Sequence, residues 1–406
     1  MAVKHGFLAD YFEGFGYKIL KPVEIDPKVS HEHEFNGINS FKEILGSERQ
    51  KLSCRVIYLT DDEDEITEDM VTLTWYDARE NHPTRTEYRL YYPESDCFSK
   101  AKPDDLLVVC KNRRITNNVL TMFIAKAGDT ISNQLSWLFG ISAETLTTTG
   151  RAEKIDTAKS MNYFSNLILT KVGITPEEPD DSLLDKIIER FPDGFPKTID
   201  FSEFSRSFVP DVLPQDNPDD ALIEYLDHEE HLFRVFEKFF VEKKLKSGFD
   251  DVDDFIRFSL SVQNRRKSRA GYALENHLRF IFDALEIRYS YNEITENKSR
   301  PDFIFPGIKE YQDKTFSSRN LTMLGVKTTC KDRWRQVLTE AVRIARKHLC
   351  TLEPSISEDQ TNEMISHQLQ LVVPSSIVST YNEKQQNWLM TVNDFVSLAR
   401  ERQSAN

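Results

Sequence analysis

A proline–aspartate pair, Pro301-Asp302, opens the apolar run DFIF (302–305), and Lys327 follows 25 residues later inside a second apolar run, TMLGVKTT (322–329). A carboxylate at one strand edge and an ammonium on a neighbouring strand form the skeleton of a metal-dependent phosphodiesterase. Carboxylates hold Mg²⁺ against the scissile phosphate, while the cation steadies developing charge and helps orient the attacking water. One member is missing. The usual nuclease spacing places an acid two residues before the lysine, where this chain has Gly325, and one carboxylate alone holds a hard cation poorly. Glu340 offers a replacement. If the strand ends near Thr329 and a long helix runs from about Asp332, then Gln336, Glu340 and Arg343 share a helical face, and Glu340 points back toward the strand end carrying Lys327. Gly325 would leave room for that carboxylate. Glu275, beside the apolar stripe of an earlier helix, is a fourth candidate. Plainer readings stand against these: an aspartate after proline is usually a turn residue, and a mid-helix glutamate is usually solvated.

The elements that must position these residues divide the chain in two. Up to about residue 150, short runs rich in Val, Ile, Thr and Tyr alternate with polar or proline-containing turns: CRVIYLT (54–60), MVTLTWY (70–76), TEYRLYY (86–92), DLLVVC (105–110) and VLTMFIA (119–125). This is the pattern of an all-β barrel or sandwich. Seven of the 16 prolines then fall between Pro176 and Pro218 among acidic residues, and residues 151–184 read as a linker. Helical spacing follows from Asp219 to Lys246 and again in SRAGYALENHLRFIFDAL, where Leu274, Leu278, Ile281, Phe282 and Leu285 share a face. With the strand-like runs near 302 and 322, residues 185–402 read as an α/β domain.

At 406 residues the chain has room for two domains. No apolar run approaches the roughly 20 residues that span a bilayer, and the start lacks a signal-peptide core, so the expected compartment is the cytoplasm. Cys54, Cys97, Cys110, Cys330 and Cys350 form an odd set without a CxxC pair, arguing against a disulfide framework or a zinc site. The net charge of −14 argues at first against a polyanionic partner, but the charge is segregated. Residues 255–350 carry 19 Lys+Arg against 10 Asp+Glu, leaving 33 against 56 elsewhere. A basic segment within an acidic chain points to nucleic acid. NRRKSRAG (264–271), with Arg265, Arg266 and Arg269, reads as a basic loop for phosphate contact, a structural role being the alternative.

SVQNRRKSRAGYALENHL (261–278), RPDFIFP (300–306), MLGVKTTCKDRWRQVL (323–338) and LVVPSSI (371–377) closely resemble, in order and spacing, the catalytic half of the EcoRII-type type II restriction endonucleases. The resemblance covers roughly residues 185–400 and implies a restriction-endonuclease-like α/β domain of the PD-(D/E)xK kind. In that family the second metal-binding carboxylate is displaced onto the following helix. This carries over to Asp302 and Glu340 as metal ligands for Mg²⁺, Lys327 as the catalytic lysine and Glu275 as an additional acidic member. Lys331, Asp332 and Arg333 fall where the family, which cuts at CC-GG type sites, reads bases in the major groove. The chemistry agrees: Lys331 and Arg333 can donate to guanine O6 and N7, and Asp332 can accept from cytosine N4. The alternative makes Asp332 a helix N-cap with the arginines solvated; Trp334 reads as core. A palindromic double-stranded site implies a homodimer with each subunit cutting one strand. It also implies a cognate DNA methyltransferase as a functional partner.

TEYRLYYP (86–93) followed by DDLLVVC (104–110) resembles, less closely, the DNA-binding pseudobarrel found as an effector domain in some restriction enzymes. Residues 1–150 would then form an all-β recognition domain with Arg79, Arg85, Arg113 and Arg114 on its loops. Such a domain would bind a second DNA copy or a different sequence and occlude the catalytic cleft until it does, an autoinhibition that binding relieves. Two rivals remain: an endonuclease that depends on methylation, and a DNA-binding regulator with an inactive nuclease fold.

Overall fold

The computed structural model describes residues 3, 5–113, 119–157, 160–174, 183–330 and 333–404. The chain divides into two units, His5–Pro176 and Glu177–Asn406. Among the described residues no helix is long and apolar enough to cross a membrane, and all five cysteines are buried and unpaired.

In the first unit, strands β1 (Phe12–Ile19), β2 (Glu34–Phe35), β3 (Gln50–Leu59), β4 (Thr67–Asp77), β5 (Tyr88–Tyr91), β6 (Leu106–Asn112), β7 (Leu120–Ala125) and β8 (Arg151–Lys154) form one sheet. Their order is β2-β5-β4-β3-β7-β6-β1-β8. Only the β3–β7 pair is parallel among the described pairings. Alternation along the central strands explains its stability. Cys54, Val56, Leu107, Val109, Met122 and Ile124 pack on one face, while Ile57, Leu59, Val108, Cys110 and Phe123 pack on the other. A sheet apolar on both faces needs cover on both. On the first face Phe41 enters the core against Gly16, where any Cβ would come within 2.5 Å of its ring. On the second, helix Thr130–Phe139 supplies Ile131, Leu135 and Leu138, and helix Tyr163–Lys171 supplies Ile168 and Leu169. The two ends of the sheet approach one another: Gly150 N donates to Gly37 O at 2.9 Å, just before β8 and just after β2.

Two expectations change here. The unit is β-dominated but not all-β, because the two helices close its second face. Residues 151–174 are not linker, since β8 pairs with β1 and the 163–171 helix packs into the core.

In the second unit, helices Leu184–Arg190, Thr198–Arg206 and Pro218–Ser247 enclose a small aromatic core containing Phe191, Phe201, Phe233 and Phe236. The later turns of helix Val252–Ala284 bury Leu274, Leu278, Ile281 and Phe282 and pack against a second sheet, where Phe282 meets Phe303 and Phe305 edge-on. That sheet comprises β9 (Ser290–Tyr291), β10 (Phe303–Phe305), β11 (Thr322–Lys327), β12 (Lys347–Thr351), β13 (Leu369–Val373) and β14 (Met390–Thr391), in the order β14-β13-β12-β11-β10-β9. Strands β11 to β14 are mutually parallel, and β10 lies antiparallel to both neighbours. Strands β11, β12 and β13 are buried almost throughout, with Lys347, His348 and Gln370 among their apolar residues.

Candidate active site

Asp302 sits at the mouth of β10, whose register sets Phe303 against Leu324 of β11. That pairing brings its carboxylate to the end of β11: Oδ2 accepts the Val326 amide at 2.6 Å and the Lys327 ammonium at 3.1 Å. Lys327 Nζ also donates to Val326 O at 2.9 Å. The aspartate backbone is tied in turn, with Asn292 N donating to Asp302 O at 3.0 Å. Both side chains stay partly open to solvent.

Glu340 reaches this place differently from the sequence expectation. The long helix from about residue 332 is not formed. A single turn, Trp334–Val337, gives way to short-range turns in which Leu338, Thr339 and Glu340 donate backward by three residues, and Ala341 adopts a left-handed φ of 46°. Arg343 therefore shares no helical face with Glu340; its guanidinium binds the carbonyls of Tyr311, Asp313 and Phe316. Gly325 does not leave room for a carboxylate. Its missing Cβ would lie 2.8 Å from Val337, so the glycine lets the one-turn helix press against β11, and Glu340 follows three residues later. Burial, then repulsion from the Asp302 carboxylate, pushes the Glu340 carboxyl up to about 7, with Lys327 and Lys347 opposing. Among the described residues its buried Oε2 has no hydrogen-bond partner.

Glu275, on the 252–284 helix, accepts the Tyr291 hydroxyl at 2.5 Å. Burial raises its pKa above the usual carboxylate value; the Tyr291 hydrogen bond works against this and the charge of Asp302 adds to it. The Tyr291 phenol is itself pushed up, by burial and then by that bond, and the Arg279 guanidinium lies 4.5 Å over its ring. Asp302 thus touches Lys327 directly and acts through its charge on Glu340 and Glu275.

Among the described residues no three His, Cys, Asp or Glu side chains are gathered as a ready-made metal shell. The donors still suit a small hard cation, which keeps several waters and needs only one or two carboxylates. Asp302 and Glu340 are oxygen donors, the charge of Asp302 raises the Glu340 pKa, and among the described residues the buried Glu340 Oε2 has no hydrogen-bond partner.

The expected DNA-contact residues fare unevenly. Lys331, Asp332 and Arg114 lie outside the described residues. Arg333 is exposed beside Trp334, which is buried, while Arg335 pairs with Glu363 at 2.8 Å. NRRKSRAG is not a loop but the middle of the 252–284 helix, because α-spaced contacts to the 218–247 helix run through it. Arg269 is buried among Glu229, Glu230 and the Phe233 ring, so it is a core ion-pair residue and not a surface contact. Arg266 pairs with Glu237 at 2.6 Å, and Arg265 stacks 4.4 Å over Phe195. In the first unit Arg79 pairs with Glu87 at 2.6 Å; Arg85 and Arg113 are exposed.

Three residues escaped sequence reasoning. Tyr291 and Arg279 gave no signal, since only β9–β10 pairing carries the phenol to Glu275. Lys347 lies in KHLCT, which reads as an ordinary strand.

A carboxylate and a lysine on adjoining strands of a mixed sheet, with a second carboxylate delivered by the next turn, define a restriction-endonuclease-like α/β unit. Residues 233–396 match the family model described as EcoRII C terminal. The Escherichia coli protein named type II restriction enzyme EcoRII is 43% identical over 182 residues, which is 45% of each chain. The Shigella sonnei type II restriction enzyme SsoII is 28% identical over 199 residues, 42% of this chain and 64% of that protein. Both likenesses span less than two thirds of the relative. A solved structure titled "Metal-depleted Ecl18kI in complex with uncleaved, modified DNA" aligns at 22% identity with a TM-score of 0.45, over 56% of this chain and 86% of that one.

Proposed function

We propose that this protein is a type II restriction endonuclease of the EcoRII kind, hydrolysing phosphodiesters of double-stranded DNA with Mg²⁺ at a CC-GG type, CCWGG-like sequence. The observation that carries this reading is the sharing of Asp302 Oδ2 between Lys327 Nζ and the Val326 amide, with the unsatisfied Glu340 carboxylate in the same field. Asp302 and Glu340 would hold the cation, which supplies Lewis-acid polarisation of the phosphate and lowers the pKa of water. Lys327, fixed by its two oxygen partners, stabilises the negative charge that builds on the phosphoryl oxygens as water attacks and the leaving oxygen departs. Glu340 serves once deprotonated. Glu275, restrained by Tyr291, completes the acidic side of the cleft.

Base selection falls to Lys331, Asp332 and Arg333, next to the strand that ends in Lys327, so sequence reading and chemistry are a few residues apart. A palindromic site calls for a homodimer. The first unit is read as a DNA-binding pseudobarrel, a reading favoured by the approach of its sheet ends at Gly37 and Gly150; it would take a second DNA copy and restrain cleavage until it does. The cell would protect its own sites with a cognate methyltransferase. Mapping cut ends on plasmid DNA with Mg²⁺, methylated and unmethylated, tests all of this together. Discrete ends at CC-GG type sites on unmethylated DNA support the reading. Cutting confined to methylated DNA supports a methylation-dependent enzyme instead, and binding without cutting an inactive regulator.

A further inference from the structure

The turn that presents Glu340 is not self-supporting. Ala341 sits in the left-handed region, φ 46°, which a residue bearing a Cβ enters only when its surroundings hold it there. Two cations just beyond Ala341 in the chain do the holding. On one side Arg343 reaches the carbonyls of Asp313 and Phe316 at 2.9 and 2.8 Å. On the other, Lys347, the first residue of β12, sends its ammonium to Ala341 O at 3.2 Å and Ile344 O at 2.9 Å. Ile344 N also donates to Ala341 O at 2.9 Å, so the carbonyl next after Glu340 is fixed from two directions.

Lys347 is 7% exposed. A buried ammonium persists only where groups compensate its lost hydration. Here they are the two turn carbonyls together with the charges of Glu340 and Glu296, which favour the protonated form against the burial that lowers it. Lys347 is also rigidly rooted. β12 is paired on both sides, with His348 beside Leu324 of β11 and beside Gln370 of β13, so its ammonium is a fixed point against which the 338–344 turn is pulled. The lysine acts through the turn and not on the phosphate.

We propose that Lys347 is a positioning residue for the metal site: by clamping the Ala341 and Ile344 carbonyls it locks the left-handed turn that delivers the Glu340 carboxylate to Asp302. This rests on the endonuclease reading and deepens it. It also explains how a family-type second carboxylate can sit off the strand without a long helix to carry it.

The test uses the full chain, with Mn²⁺ alone as the probe in calorimetric titration, Mg²⁺ dependence of plasmid cutting, and duplex binding without metal. Lys347→Met should weaken Mn²⁺ binding about 10- to 100-fold, as loss of an outer support of a metal ligand does, and should raise the Mg²⁺ half-point of cutting by a similar factor. Metal-free duplex affinity should stay unchanged. Adding Ala341→Gly, which makes the left-handed conformation cost-free, should recover much of the loss. If Lys347→Met does not fold, Lys347→Gln, which keeps an uncharged N–H donor group, replaces it with the same rescue expected. Unaltered Mn²⁺ binding in the Lys347 variant, or no rescue by glycine, overturns the proposal while leaving the endonuclease reading in place. A wild-type protein that neither binds Mn²⁺ nor cuts DNA overturns both.

Discussion

Lys327 Nζ lies 3.1 Å from Asp302 Oδ2, the same oxygen that accepts the Val326 amide at 2.6 Å. One carboxylate oxygen thus ties the lysine side chain to the backbone that precedes it, and strand pairing between β10 and β11 makes the geometry. Asp302→Asn would keep the shape while removing charge. A loss of cutting near 10²- to 10³-fold with duplex affinity retained is expected, the size typical of removing one preorganised charge-stabilising group. Gel-shift titration beside plasmid cleavage measures both, and a variant that loses binding in proportion to cutting argues that Asp302 serves the fold alone.

Glu340 is pushed up to about 7, and the sign of its pH effect follows. Below that value the folded, metal-free protein keeps the carboxyl protonated, and a cation must displace the proton. Affinity for Mn²⁺ should therefore fall as pH drops below about 7 and level off above it. The same raised value favours the fold fully below the ordinary carboxylate range, and this advantage is lost as pH rises through 7. Glu340→Gln should accordingly melt higher than wild type at pH 8 without metal, match it near pH 4, and bind Mn²⁺ weakly at every pH. A pH-independent Mn²⁺ affinity in wild type would refute this assignment.

Restoring the usual acid at position 325 should not help. Any side chain there meets Val337 at 2.8 Å, and overpacking of this kind costs about 1–3 kcal/mol, more with a buried charge. Gly325→Asp combined with Glu340→Ala is expected to melt lower than Glu340→Ala and to remain inactive. Recovery of cutting by the double variant would show that strand and turn carboxylates are interchangeable.

Tyr291→Phe removes a single hydroxyl that donates to Glu275 at 2.5 Å and keeps the ring under Arg279. The expected effect is a lower turnover at saturating DNA, about tenfold or less, with unchanged half-saturation. A shift in half-saturation alone would place Tyr291 in DNA binding instead.

Much of this was legible in sequence for identifiable reasons. Asp302, Lys327 and the apolar runs around them are short-range signals, and β3, β4, β6 and β7 announced themselves by β-branched content. What failed depended on side-chain contacts that residue periodicity does not encode. Helical spacing beyond residue 332 reads as continuous because it does not reveal a left-handed Ala341 whose carbonyl is held by Lys347 at the start of β12. NRRKSRAG looked like a basic loop because its partners Glu229, Glu237 and Phe195 lie about 30 to 70 residues earlier. The helices at 130–139 and 163–171 were passed over because only the two-faced burial of the first sheet demands them.

The central claim is that Asp302 and Lys327 perform metal-dependent hydrolysis of double-stranded DNA. The most direct measurement is the rate of plasmid cleavage with Mg²⁺ by wild type and by Lys327→Ala, with duplex binding determined for both. Discrete fragments from wild type, and at least 10²-fold slower cutting by a variant that still binds, are predicted. Equal cutting by Lys327→Ala would contradict the account.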